Sequence, residues 1–226
     1  MLSDSRDTFV SAVFLDISKA FNKVWHAGLL HQLDKMGIDR TSFESYLSGR
    51  SHCTRVDGVM STFADLHAGV PQGTVLGPLL FLCYVNDLPS VVSPQSSYMF
   101  ADDTALLATQ SKRKLFTTSA ITQAALNSVV SWSQKWCVTF NASKSADLTI
   151  TGTRRGAIHP PALTLQGNMI PKAESVPHLG VHISGDLKWN AHIHHLRSKV
   201  ARKVGMLRAY GTGFHPSLSP LSYAQL

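Results

Sequence analysis

Three carboxylates in this 226-residue chain stand where carboxylates are costly. Asp102 and Asp103 are neighbours between two short apolar stretches, Tyr98 to Phe100 and Thr104 to Ala108, and Asp16 closes the apolar run Phe9 to Leu15. Adjacent like charges repel, and they lose hydration when apolar chain packs around them, so such groups require a compensating cation. Hard oxygen ligands of this kind suit Mg²⁺, which takes a few carboxylates and keeps positions for water and phosphate oxygens. Two such ions about 3.5–4 Å apart activate an attacking oxygen and stabilise a leaving one, which is what phosphoryl transfer requires. Taken alone, Asp102-Asp103 reads more simply as an exposed hairpin tip, because Asp is favoured in turns. The surrounding segments decide between the two readings.

The elements that must position these acids follow from hydrophobic period and turn residues. Phe9 to Leu15, rich in β-branched and aromatic residues, predicts a buried strand that delivers Asp16 at its end. Leu29, Leu30, Leu33 and Met36 recur at helical spacing until Gly37, and a short helix is expected from Thr41 to Leu47. Asp57-Gly58 predicts a hairpin turn within Ser51 to Ala68. Gly69-Val70-Pro71-Gln72-Gly73 reads as a loop whose glycines permit close backbone approach, and Pro78 suits the first turn of the helix that follows, ending near Asn86-Asp87-Leu88-Pro89. Tyr98 to Ala108 reads as a hairpin with its acids at the tip. Ile121, Ala125, Val129, Trp132 and Trp136 mark the core-facing side of a long amphipathic helix. Strands are expected at Leu148 to Thr151 and Leu163 to Leu165, a turn at Gly167-Asn168, and a strand pair around Leu179-Gly180-Val181. Ile193, Leu196, Val200, Val204 and Leu207 line one face of a last helix capped by Asn190, and the tail beyond Gly211, with Pro216 and Pro220, reads as unanchored chain. Strands and helices mix without regular alternation, which favours an α+β domain with an antiparallel sheet.

Composition narrows the class of function. At 44% hydrophobic residues the chain buries a real core, so wholesale disorder is excluded. Charge is unevenly placed: residues 1–111 carry 7 Lys+Arg against 11 Asp+Glu, a net of −4, and residues 112–226 carry 14 against 3, a net of +11. A basic half suits a polyanion and an acidic half suits cations. Cys53, Cys83 and Cys137 are an odd, widely spaced set without a Cys-x-x-Cys pair, as expected of a reduced intracellular protein in the nucleus or cytoplasm. The first residues lack an apolar core of signal-peptide length, and the longest apolar run, Val75 to Val85, is too short to cross a bilayer, so no membrane partner is expected. His192, His194 and His195 lie close together, but without a nearby Cys or third ligand they read as surface histidines.

Three segments, taken in order, resemble motifs A, B and C of reverse transcriptases: Phe14-Leu15-Asp16-Ile17-Ser18-Lys19-Ala20-Phe21, Gly69 to Pro78, and Phe100-Ala101-Asp102-Asp103. The chain is most similar to the enzymes of non-LTR (LINE-type) retrotransposons, which also carry the Leu79-Leu80-Phe81 continuation and the following Asn86-Asp87-Leu88-Pro89. The likeness runs from about residue 9 to residue 210. It implies a right-hand polymerase palm, an antiparallel sheet flanked by helices, with partial fingers in residues 1–187 and the start of a thumb in 188–226. It implies RNA-directed DNA synthesis: two Mg²⁺ ions, with Mn²⁺ as an alternative, catalysing addition of dNTPs to a DNA primer 3′-hydroxyl on an RNA template. By resemblance Asp16 and Asp102 bind both metals and Asp103 supports them. Ile17, Phe21, Gln72, Gly73 and Lys144 face the incoming nucleotide, with Phe21 as the aromatic gate against a ribose 2′-hydroxyl and Lys144 near the departing pyrophosphate. Leu179, Gly180 and Val181 correspond to the primer grip, and Arg197, Lys199, Arg202, Lys203 and Arg208 to thumb contacts with a nucleic-acid backbone.

Asn22 departs from the family, which commonly has aspartate there. The resemblance further places a fingers segment, the rest of the thumb and an endonuclease region outside these 226 residues. Two expectations follow for the chain itself: a polymerase module, or a truncated, catalytically inactive remnant that at most binds nucleic acid through its basic half.

Overall fold

The computed structural model describes residues 8–92, 97–111, 115–151 and 160–211. The tail expected to be unanchored, and the chain's first seven residues, lie outside that description. β1 (Thr8–Leu15) leads through a 3-10 turn (Ala20–Lys23) into α1 (His26–Lys35) and α2 (Thr41–Leu47). Two small ribbons follow, β2 (Ser51–His52) paired with β5 (Ala64–Asp65), and β3 (Arg55–Val56) with β4 (Val59–Met60). Next come α3 (Leu76–Val85), α4 (Leu88–Val91), the hairpin β6 (Ser97–Phe100) and β7 (Asp103–Ser111), and the long α5 (Leu115–Lys135). β8 (Ala146–Ile150), β9 (Thr164–Leu165), β10 (Asn168–Met169), β11 (Lys172–Ala173), β12 (Ser175–His178), β13 (Val181–Ser184) and α6 (Asn190–Gly211) complete the described chain.

The central sheet runs β11-β8-β1-β7-β6, antiparallel throughout except for the parallel edge pair of β11 with β8. This is the α+β architecture expected, with β1 at its centre. Both faces of β1 are covered, which is why its sequence reads as a continuous apolar run rather than an alternating one. Val13 and Leu15 face the main core with Leu29, Leu33, Phe81 and Trp132, while Ala12 and Phe14 face a smaller cluster with Ala105, Leu148 and Val176. Helices close the first face; the β12–β13 hairpin, through Val176 and Ile183, closes part of the second.

Local chemistry sets the element ends. Gly37, at φ +73°, terminates α1 in the left-handed conformation, with the N–H of Ile38 returning to the carbonyl of Leu33 at 3.0 Å. Asp57 and Gly58 both take positive φ, 49° and 85°, in the two-residue turn between β3 and β4. Asp87 anchors α5 by accepting the indole N–H of Trp132 at 2.7 Å, a role for the Asn86-Asp87-Leu88-Pro89 segment. Tyr84 donates its hydroxyl to the Trp136 carbonyl, and burial pushes that phenol up to about 12.

The α5 stripe is displaced from the expected one. Ile121 is 61% exposed, and the buried line runs through Ser119, Thr122, Leu126, Val129 and Ser133, with Trp132 and Trp136 beside it. Three of those positions carry small hydroxyl side chains, which hide the buried face from a count of apolar residues alone. The turn expected at Gly167-Asn168 is formed one residue earlier, by Gln166 at φ 52° and Gly167 at φ 79°.

Candidate active site

The antiparallel register places the acids. Leu15 pairs with Thr104, so the next step outward sets Asp16 opposite Asp103, and directly opposed residues share a face of the sheet. Phe100 pairs with Asp103, which leaves Ala101 and Asp102 as a two-residue turn. Asp103 is therefore the first residue of β7 rather than part of the tip, as the sequence alone suggested. Ala101 holds φ 55° at the first turn position, where the twist of a tight hairpin favours glycine.

Asp16 is fixed from behind. Its N–H donates to the hydroxyl of Ser145 at 3.2 Å, and that hydroxyl donates in turn to the Asn141 carbonyl at 2.7 Å. The Asp16 carbonyl accepts the Asn141 N–H at 2.9 Å, and Ser18 N–H reaches the Thr139 carbonyl at 2.8 Å. The Asn141 side chain folds its own loop by accepting from Ser143 N–H (3.0 Å) and Ser143 hydroxyl (2.7 Å). Sequence reasoning passed over Ser145 and Asn141; Asn-x-Ser as an Asx-turn signal was the available hint, but its contact with Asp16, 129 residues away, was not legible.

A concavity of about 240 Å³ is lined by Asp16, Asp103, Thr104, Lys144 and His178. Lys144 is thus brought to the two facing acids, on an exposed rim. Asp102 stands beside them in the turn, outside that lining, and among the described residues no three His, Cys, Asp or Glu side chains form a ready metal-holding group. In kind the donors fit a hard cation. Asp16 and Asp102 are half-buried, Asp103 is exposed, and none of the three carboxylates takes a hydrogen bond or ion pair from the described residues. His178, unremarked in the sequence, lies tilted against Phe14 with ring centroids 4.9 Å apart.

The motif B glycines answer specific contacts. Gly69 has φ +93°, and a Cβ there would lie 2.8 Å from the backbone oxygen of Asn22, while a Cβ on Gly77 would meet the Pro71 carbonyl at 2.4 Å. This close approach lets Gly69 N–H bond the Val24 carbonyl and Val70 N–H bond the Phe21 carbonyl, each at 2.8 Å. Gly73 has φ +75° with open space around its Cα. Gln72 donates its side-chain amide to Asn22 Oδ1 at 2.5 Å, so the residue that departs from the family's aspartate holds the motif B glutamine. Phe21 is half-buried, its ring 4.7 Å from that of Phe81, and Ile17 is buried, leaving only its backbone to face a ligand.

Leu179 (φ 48°) and Gly180 (φ 80°) form the turn closed by the His178–Val181 pair, with Leu179 projecting into solvent. Arg197, Lys199, Arg202, Lys203 and Arg208 are exposed on α6. So are Ile193, Leu196, Val200 and Val204, so the apolar stripe of α6 is uncovered among the described residues. Near the start of α6, the His195 and His192 rings lie 4.5 and 6.4 Å from that of His182 on β13. The His195 imidazole is held below its usual range by desolvation, then by the charge of His182, Lys199, Arg202 and His192.

A sheet of this topology, with facing carboxylates at one end of its two central strands and a third in the adjoining hairpin turn, is the arrangement that the resemblance to polymerases led us to expect. The family model for reverse transcriptase (RNA-dependent DNA polymerase) matches residues 4–183, and the chain belongs to that family. It is 34% identical over 207 residues to the RNA-directed DNA polymerase from mobile element jockey of Drosophila melanogaster, covering 86% of this chain and 22% of that protein. It is 32% identical over 208 residues to the probable RNA-directed DNA polymerase from transposon X-element of the same fly, covering 89% and 22%. A retrovirus-related Pol polyprotein from the type-1 retrotransposable element R1 of Bradysia coprophila is 25% identical over 204 residues, covering 88% and 20%. The chain thus spans about a fifth of the length of these relatives, and the resemblance to non-LTR retrotransposon enzymes is borne out. A solved apo telomerase of Candida tropicalis, truncated from its C-terminal domain, is a distant likeness at 11% identity and TM-score 0.46, over 80% of this chain and 35% of that one. Reverse transcriptases use divalent metal ions and act on nucleic-acid templates and dNTPs.

Proposed function

We propose that this reverse transcriptase domain carries out RNA-directed DNA synthesis, adding dNTPs to a DNA primer 3′-hydroxyl on an RNA template with two Mg²⁺ ions. The observation that carries the reading is the β1–β7 register, which sets Asp16 opposite Asp103 with Asp102 in the adjoining turn. Asp16 and Asp102 would hold the ions and Asp103 would support them. Bound there, the ions, or Mn²⁺ in their place, would supply Lewis-acid activation of the primer hydroxyl and neutralise charge on the phosphates.

The chain's own residues supply position and selection. Ser145 and Asn141 hold the Asp16 backbone against the Lys144 loop, so that the Lys144 ammonium shares the concavity with the acids and can stabilise the departing pyrophosphate. Phe21, braced by Phe81, discriminates against a 2′-hydroxyl by steric exclusion. Gln72 and Gly73 meet the incoming nucleotide from the motif B loop, and Ile17 does so through its backbone. Leu179, Gly180 and Val181 steady the primer, and the α6 cations follow the phosphate backbone without reading bases. In this reading residues 1–187 are palm with partial fingers, 188–226 begin the thumb, and the setting is intracellular.

Primer extension on an RNA template with Mg²⁺ tests it. Wild type is expected to extend and Asp102→Asn to fall to background; equal extension by both refutes the metal role. Salt-sensitive nucleic-acid binding by wild type without any extension would instead identify an inactive remnant.

A further inference from the structure

Asn22 stands where the family commonly has aspartate, and the structure gives that departure a physical content. The residue lies on the 3-10 turn after β1, with its N–H bonded to the Lys19 carbonyl at 2.9 Å. Two backbone bonds stitch this stretch to the motif B loop, Gly69 N–H to the Val24 carbonyl and Val70 N–H to the Phe21 carbonyl, each at 2.8 Å. One side-chain bond is added to them: the Gln72 carboxamide donates through Nε2 to Asn22 Oδ1 at 2.5 Å. Both side chains are exposed, and neither makes another hydrogen bond among the described residues. The loop backbone does not depend on that bond. The Thr74 hydroxyl donates to the Pro71 carbonyl at 2.8 Å and accepts the Gly77 N–H at 3.1 Å, which closes the loop on the far side of Gln72, while Gly73 sits at φ +75° in open space. Loss of the Asn22 acceptor therefore frees the Gln72 amide and leaves loop and turn joined through their backbones.

Asparagine shares with aspartate a side-chain acceptor oxygen at this position and lacks only the charge, and an amide N–H donor needs only the acceptor. We propose that Asn22 is a positioning residue for nucleotide addition: its Oδ1 holds the Gln72 amide toward the incoming nucleotide, and this acceptor, rather than a negative charge, is what position 22 contributes. The inference rests on the polymerase reading, in which Gln72 meets that nucleotide. Phe21, on the same turn, is held separately, by the bond from Val70 to its carbonyl and by the Phe81 ring 4.7 Å away. Asn22 therefore governs nucleotide affinity without governing selection against the 2′-hydroxyl.

The test is primer extension by the full chain on an RNA template across a range of dNTP concentrations, with Asn22→Ala, Asn22→Asp, Gln72→Ala and the double variant of Asn22→Ala with Gln72→Ala. Asn22→Ala is expected to raise the dNTP KM by about 3- to 10-fold, the value of one hydrogen bond, with kcat within about 2-fold of wild type. Asn22→Asp is expected to keep the wild-type KM, and the double variant to be no worse than Gln72→Ala alone. Discrimination between dNTP and rNTP is expected to be unchanged in Asn22→Ala. An Asn22→Asp variant as impaired as Asn22→Ala overturns the proposal, as do additive losses in the double variant. Loss of sugar discrimination together with affinity in Asn22→Ala also overturns it, since the whole turn would then have moved. Denaturant titrations of wild type, the two alanine variants and their double read the Asn22–Gln72 contact without any activity, and strictly additive midpoint shifts overturn the contact itself. Coupled midpoints in a wild type that incorporates no nucleotide overturn the polymerase reading, and the proposal with it, so the two failures are distinct.

Discussion

Ser145→Ala isolates the support of the catalytic strand from the carboxylates themselves. The hydroxyl is buried, accepts the Asp16 N–H at 3.2 Å and donates to the Asn141 carbonyl at 2.7 Å. Removing it leaves the Asn141 carbonyl satisfied, because Ser145 N–H still bonds it at 2.9 Å. The Asp16 N–H alone becomes an orphan in a partly buried setting, at a cost of about 1–2 kcal/mol. For a chain of this length that lowers the melting temperature by roughly 2–8 °C. The catalytic consequence comes from the freed end of β1, where a misplacement of about 1 Å costs on the order of 100-fold. Single-turnover extension is therefore expected to slow by about 10- to 100-fold, with little change in the dNTP concentration giving half-maximal rate. Ser143→Ala is the control: its hydroxyl also bonds within the loop, to Asn141 Oδ1 at 2.7 Å, but is exposed and does not touch Asp16. Wild-type melting and wild-type extension by Ser145→Ala would refute the reasoning, as would identical losses in the two variants.

Three further outcomes follow from single features of the fold. Asp147 is 2% exposed, and neither of its oxygens meets a donor at bonding distance. Burial raises its carboxyl above the ordinary range, with Lys172 at 4.0 Å and the nearby Ser11 hydroxyl only partly offsetting this. A raised carboxylate pKa means that ionisation opposes folding, so stability falls as pH rises from the ordinary carboxylate range through the folded value. Asp147→Asn is expected to be more stable than wild type at neutral pH, with the advantage disappearing in acid; denaturant titrations at pH 7 and pH 3.5 check this. Ala101→Gly relieves a left-handed alanine in the catalytic turn and is expected to gain about 0.5–1 kcal/mol by chemical denaturation, less than the full conformational penalty because glycine also loosens the unfolded chain. Gly69→Ala combines a disfavoured φ of +93° with a Cβ 2.8 Å from the Asn22 oxygen, so a loss exceeding about 2 kcal/mol is expected, read as a lowered denaturation midpoint.

The strands that carry the acids were legible because their signal is local. Phe9 to Leu15 reads as a buried strand, and in the structure β1 ends at Leu15 with Asp16 as the next residue. α2 has the expected bounds, Thr41–Leu47, the turn at Asp57-Gly58 lies where its residue types put it, and the strand pair expected around Leu179-Gly180-Val181 forms with Leu179 and Gly180 as its turn. What stayed hidden depends on partners far along the chain. Ser145 is an ordinary serine until the fold sets it behind Asp16, and Asn22 is a bare departure from aspartate until the fold brings Gln72, 50 residues away, to its side chain. The α5 stripe was shifted because Thr122 and Ser133, though polar, are buried, and Ile121, though apolar, is not. Apolar spacing on α6 marked one face of the helix, but spacing cannot say what covers it.

Manganese binding measured by electron paramagnetic resonance tests most directly whether the acids at the ends of β1 and β7 act together on a divalent ion. Wild type is expected to bind Mn²⁺, and Asp16→Asn and Asp102→Asn each to weaken it by on the order of 10-fold or more, since each removes a ligand from the same place. Retention of wild-type affinity by both variants, with their folds intact, would contradict the account.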